Sequence, residues 1–127
     1  MSDIRLDNVG GCIAELVACN SEVAEFSHAW SADAGELKML EKRYERLYRS
    51  AMRGTQGKNA DERSATAHAA VEATEEGISE RIENLIGNVE ACKRRFEAVE
   101  RRSSNAQSIL AAHRDAMRTE GYVRPAA

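Results

Sequence analysis

Proline is almost missing from this 127-residue chain; the single one is Pro125. Nothing before the last three residues therefore carries the ring clash that stops a helix. Aromatics are scarce too, with one Trp, two Phe and three Tyr. Leu, Ile, Val and Phe together number only 22, too few for a thick globular core. No run of about 18 apolar residues exists, which excludes a membrane-spanning helix at the level of sequence. The opening Met1-Ser2-Asp3-Ile4-Arg5 lacks the basic-then-apolar pattern of a signal peptide, and a cytoplasmic location is expected. The cysteines, Cys12, Cys19 and Cys92, are odd in number and have no CxxC spacing. They suit a reducing compartment as small packing residues.

Net charge is also lacking. The 18 basic residues nearly cancel 21 acidic ones, leaving −3. That balance argues against disorder, which needs a large charge excess. It argues equally against a dedicated duplex-DNA binder. What is abundant is helix-forming residues: Ala, Glu, Lys, Leu and Arg supply 62 of the 127, a share typical of long helices and coiled coils.

The apolar residues follow a seven-residue repeat with alternating steps of three and four. One line runs Val9, Cys12, Leu16, Cys19, Val23, Phe26, Trp30, then past Asp33 to Leu37, Leu40, Tyr44, Leu47 and Ala51. It predicts a helix over about residues 8–53, with Trp30 buried. Gly54 is placed to end it in the left-handed conformation. A loop at 54–59 follows, and Asn59 with Glu62 has capping-box spacing for a new helix. A second line reads Ser64, His68, Val71, Glu75, Ile78, Ile82, Leu85, Val89, Cys92, Phe96, Val99, Ser103, Ala106, Leu110, His113 and Met117. It predicts a helix over about 60–119 with a tail at 120–127. Ser103-Ser104-Asn105 is a candidate break, because these residues favour caps and turns; a short third helix from Ala106 is then the alternative.

The expected fold is a single all-α domain, a long antiparallel helical hairpin of coiled-coil type. Its register would set Tyr44 opposite Ala70, Leu37 opposite Gly77 and Trp30 opposite Asn84. So thin a fold gains little net stability by itself. A homodimer covering Ile13, Val17, Met39, Ile86 and Ile109 is therefore expected.

No chemistry-bearing constellation emerges. The histidines His28, His68 and His113 show no HExxH or Cys/His ligand spacing, and His68 and His113 read as polar ends of the seam. No nucleophilic cysteine environment is evident. Gly54-Thr55-Gln56-Gly57-Lys58 lacks the phosphate-loop spacing. Catalytic, cofactor-binding and metal residues, a small-molecule substrate and a membrane are thus not expected. Two basic clusters stand as contact candidates for a protein or nucleic acid. They are Lys42, Arg43, Arg46, Arg49 and Arg53 on the first helix, interleaved with Tyr44 and Tyr48, and Lys93, Arg94, Arg95, Arg101 and Arg102 on the second. Basic residues beside aromatics can track a single strand and stack its bases. Glu41, Glu45, Glu97 and Glu100 dilute both clusters and favour a protein partner.

The segment Tyr44-Glu45-Arg46-Leu47-Tyr48-Arg49-Ser50-Ala51-Met52, a glycine-bearing loop, Glu62-Arg63-Ser64-Ala65-Thr66-Ala67 and the later Gln107-Ser108 resemble small early proteins of tailed bacteriophages. The resemblance covers about residues 40 to 110; Trp30 and the segment before it lie outside it. It implies a host-cytoplasmic role in phage DNA metabolism or in takeover of host machinery, with a replication, recombination or defence protein as partner.

Overall fold

The computed structural model describes residues 5–57 and 59–123, the last four by backbone alone. The remaining residues, including 124–127 of the expected tail, lie outside the described set. The architecture is all-α: α1 spans Val9–Gly54, α2 Ala60–Thr74 and α3 Ile78–Val123. There is no strand among the described residues.

Each helix end has a local cause. The Asn8 side chain accepts the Gly11 N–H at 2.7 Å and its carbonyl accepts that of Cys12, which fills orphan donors at the start of α1. Gly11 is required there, since a Cβ would lie 1.5 Å from the Arg5 carbonyl oxygen. Gly54 does not take the left-handed conformation; it stays in α1. The exit is made instead by Thr55, whose hydroxyl donates to the Met52 carbonyl at 2.9 Å. Asn59 caps α2 as its spacing predicts, accepting the Glu62 N–H at 2.8 Å.

The helix expected to run unbroken from residue 60 to 119 is interrupted, though not at Ser103-Ser104-Asn105. Those three residues are helical, and Ser103 is half-buried in the seam. The interruption falls at Glu75–Gly77. Gly77 has φ +80°, a conformation that L side chains resist. The Glu72 carboxylate turns across the gap and accepts the N–H groups of Gly77 at 3.1 Å and Ser79 at 3.0 Å. Negative charge thereby meets the positive end of α3. These bonds, from Ser79 first, hold the Glu72 carboxyl below the usual carboxylate range.

The described residues cluster into two compact units, one built from residues 1–28 and 92–127, the other from 29–91. In the first, Cys12, Cys19, Phe26, Val99, Ala106 and Leu110 are buried. In the second, Ala67, Val71, Ile78 and Leu85 are. The seven-residue repeat is visible directly in Cys12, Cys19 and Phe26, and in Ile78, Leu85, Val99 and Ala106 along α3. In α2 Val71 is buried as the line predicts, whereas Ala67 takes the buried place expected for its neighbour His68, which is exposed. Trp30 is half-buried rather than buried, because a single helix seam covers so large a ring on one side only. Met117, expected on the seam, is 62% exposed.

The break also moves the register within the second unit. Tyr44 meets His68, close to the Ala70 expected. Glu36, however, pairs with Arg81, well beyond the Gly77 expected opposite its neighbour Leu37. Residues 75–77 leave the helix, so α3 pairs with α1 in a register shifted from that of α2.

Two outcomes follow. Gly77→Ala should cost about 1–2 kcal/mol in urea unfolding, the penalty for a side chain in the left-handed region. No steric clash adds to it, since nothing lies within 4 Å of the added Cβ. The Glu72 carboxyl, followed by carbon NMR, should titrate below the ordinary Glu value of about 4.3. Because its folded pKa is lowered, its stabilising contribution is complete above that value. It is lost as pH falls through the folded pKa.

Candidate functional site

The two basic clusters separate into inward and outward members. In the first unit Arg102 makes a fork: Nη2 donates to Glu15 Oε1 at 2.6 Å and Nη1 to Glu22 Oε2 at 2.6 Å. Arg95 adds longer pairs, 3.6 Å to Glu22 and 3.8 Å to Glu25. Its guanidinium lies 4.6 Å from the centroid of Phe26, a cation–π distance. Arg102, with Arg95 second, holds the Glu22 carboxyl below its usual range. Cys19 lies under this network and donates to Glu15 Oε1 at 3.4 Å. Burial and that hydrogen bond push its thiol pKa up, so it packs as a neutral thiol rather than a nucleophile. Arg95 and Arg102 are thus committed to the helix seam, whereas Lys93, Arg94 and Arg101 stay exposed.

In the second unit Arg43 Nε lies 2.5 Å from Glu75 Oε2, an ion pair rather than an aligned hydrogen bond. Arg49 pairs with Glu45 one turn earlier. Lys42, Arg46 and Arg53 are exposed, and with Arg49 they share one helix face by their spacing. The tyrosines expected to interleave with them are engaged elsewhere. Tyr44 hydrogen-bonds to His68 Nδ1, and Tyr48 to Ser64 Oγ at 3.0 Å. The His68 ring centroid is 4.7 Å from that of Tyr48 and 5.6 Å from that of Tyr44. His113 is drawn into a comparable structural role in the first unit, its Nε2 lying 3.0 Å from the Leu6 carbonyl oxygen.

These rings belong to a groove in the second unit of about 470 Å³. Glu41, Tyr44, Glu45 and Tyr48 of α1, His68 of α2 and Ser79, Ile82 and Glu83 of α3 line it. The α1 residues are spaced three and four apart, which places them on one helix face. The surface is apolar and aromatic at its base, and acidic at its rim. Such a concavity with a few convergent polar groups is the kind of surface that holds a ligand. Among the described residues no group of three His, Cys, Asp or Glu side chains could hold a metal ion. No helix there is long and apolar enough to cross a membrane.

Spacing alone places Tyr44 and His68 on the seam and Glu41 and Glu45 among the basic residues of the first cluster. Their convergence is not visible there, because it depends on Ala67 rather than His68 taking the buried place in α2 and on the break at Glu75–Gly77. The one sequence signal was Gly77 itself beside the acidic Glu75-Glu76 pair. No family model, no curated protein and no solved structure matches the chain.

The division of the arginines is open to measurement. Arg102→Ala should lower stability by about 1–2 kcal/mol, the scale of charged hydrogen bonds discounted for partial exposure. Arg46→Ala should stay within about 0.5 kcal/mol. Thermal or urea unfolding of the two variants checks the contrast.

Proposed function

We propose that the chain is a non-enzymatic helical interaction protein, an antiparallel coiled-coil-like hairpin that self-associates and docks on a protein partner. The carrying observation is the large apolar side chains left in solvent. Val17 is 59%, Met39 65% and Met117 62% exposed, with Ile13 at 44% and Ile86 at 43%. Apolar side chains on regular helices are the anchors of helix-type recognition. Ile13 and Val17 are one helical turn apart and so share a face. The antiparallel arrangement is supported by the ion pairs: Glu15 with Arg102 and Glu22 with Arg95 in one unit, and Glu36 with Arg81 in the other. Within each unit, partners rise along α1 as they fall along α2 or α3. The resemblance to small early proteins of tailed phages supports a host-cytoplasmic setting and a partner from replication, recombination or defence.

A second reading, a single-stranded nucleic-acid accessory protein, is favoured by one observation: Lys42, Arg46 and Arg53 are exposed on a common helix face. Against it, the groove that holds Tyr44 and Tyr48 is lined by Glu41, Glu45 and Glu83 and by no Lys or Arg, a surface that repels a phosphate backbone.

Light scattering at tens of micromolar should give twice the 14.0 kDa of one chain, and Val17→Glu should return the monomer. A wild-type monomer would contradict self-association. Affinity capture from bacterial lysate should retain a specific protein, and its loss from the Val17→Glu and Met39→Glu variants would map the face. Titration with single-stranded DNA at about 50 mM salt, where counterion release favours binding most, should show none. Binding abolished by Arg46→Glu would transfer the assignment to the second reading.

A further inference from the structure

We propose that the groove between Tyr44, Tyr48 and Ile82 receives one arginine side chain from the docked protein partner. The inference rests on the reading of the chain as an interaction protein and names what that partner presents.

Three observations converge on a cation with an apolar stem. The base is built from the two tyrosine rings, the His68 ring and Ile82, surfaces suited to methylene groups and to the face of a guanidinium. The rim carries Glu41, Glu45 and Glu83, and no Lys or Arg lines the groove. Glu45 is already held by Arg49. Glu41 and Glu83 form no ion pair among the described residues, so two carboxylates face the opening without a counter-charge. The rings are held in place before any ligand arrives. Tyr44 is tied to His68, and Tyr48 to Ser64 at 3.0 Å. A held ring saves ordering cost on binding.

The dimensions favour a side chain over a metabolite. At about 470 Å³ the groove lies in the range of ligand sites. It opens along the helices, however, and would leave a small free molecule largely in water. An arginine delivered by a docked surface has its position fixed by the rest of the interface. Its planar fork can lie on a tyrosine face while donating to a carboxylate, which a lysine ammonium does less well. Ser79 and Glu83 come from the first turns of α3, which begins where Glu72 caps it. Glu83 therefore reaches the rim by way of the break at Glu75–Gly77, whereas Glu41 and Glu45 are carried by α1 beside the tyrosines.

The probes are two capped pentapeptides with Ala and Leu flanks, identical except for a central arginine or norleucine. They are titrated into the full chain carrying ring-labelled tyrosine and observed by NMR. The arginine peptide should move the Tyr44 and Tyr48 signals and bind about ten-fold more tightly than the norleucine peptide, a ratio in line with one cation–π contact plus a carboxylate pair. The E41Q/E83Q double variant should keep its helix content by circular dichroism and lose that preference. Equal binding of the two peptides would overturn the arginine assignment while leaving the interaction reading in place. So would arginine-peptide shifts that spare Tyr44 and Tyr48, or no shift at millimolar peptide. The interaction reading falls separately, on a wild-type monomer that captures no protein.

Discussion

The structure depends on a narrow apolar stripe repeated every seven residues. Cys12, Cys19 and Phe26 on α1, and Ile78, Leu85, Val99 and Ala106 on α3, are the side chains that water does not reach. Three of the seven, Cys12, Cys19 and Ala106, are small, and the buried stripe is thin. Charged side chains close over its margin. The Arg102 fork on Glu15 and Glu22 and the stacking of Arg95 on Phe26 cover the seam with methylene stems as much as with charge. No polar or charged residue is buried among the described residues, so no internal polar network competes with this packing for control of register.

A strict repeat could have run through a single long second helix. The break at Glu75–Gly77 prevents that, and the groove is its consequence. Upstream of the break, Ala67 and Val71 carry the buried stripe and turn His68 toward Tyr44 and Tyr48. Downstream, Ile78 takes up the stripe seven residues after Val71, and α3 brings Ser79, Ile82 and Glu83 to the same groove. The Glu72 carboxylate holds the two segments at the joint. Three unlike pieces of chain thus meet around two tyrosines, with Glu83 of α3 joining Glu41 and Glu45 of α1.

Much of this was legible beforehand. The seven-residue spacing identified the stripe along α1 and from Ile78 onward, and the capping pattern at Asn59 marked the start of α2. The weaker readings share a physical cause, since periodicity assigns a face and cannot see where the register against the neighbouring helix shifts. Ser103-Ser104-Asn105 carried stronger break propensity than Gly77, yet Ser103 sits half-buried in the seam and the packing there overrides preference. Gly77 was tolerable in a helix on propensity alone; its positive φ and the reach of Glu72 across the gap are tertiary facts. Trp30 was read from its place on the line, and line position says nothing of how much of an indole one neighbouring helix can cover. The basic clusters were found as composition. Only geometry divides Arg43, Arg49, Arg95 and Arg102, which pair with Glu75, Glu45, Glu22 and Glu15, from the members of the two clusters that form no ion pair among the described residues.

Residue-resolved amide hydrogen exchange tests most directly whether the apolar stripe and the break that interrupts its second helix govern the chain. Protection should peak around Cys12–Phe26 and again from Ile78 to Leu110, with a minimum at Glu76, between the Glu75 and Gly77 amides held by the Val71 carbonyl and the Glu72 carboxylate. Protection carried without interruption from Ala60 through Ile78 would mean that the second helix is continuous, and would contradict both the register and the groove built on it.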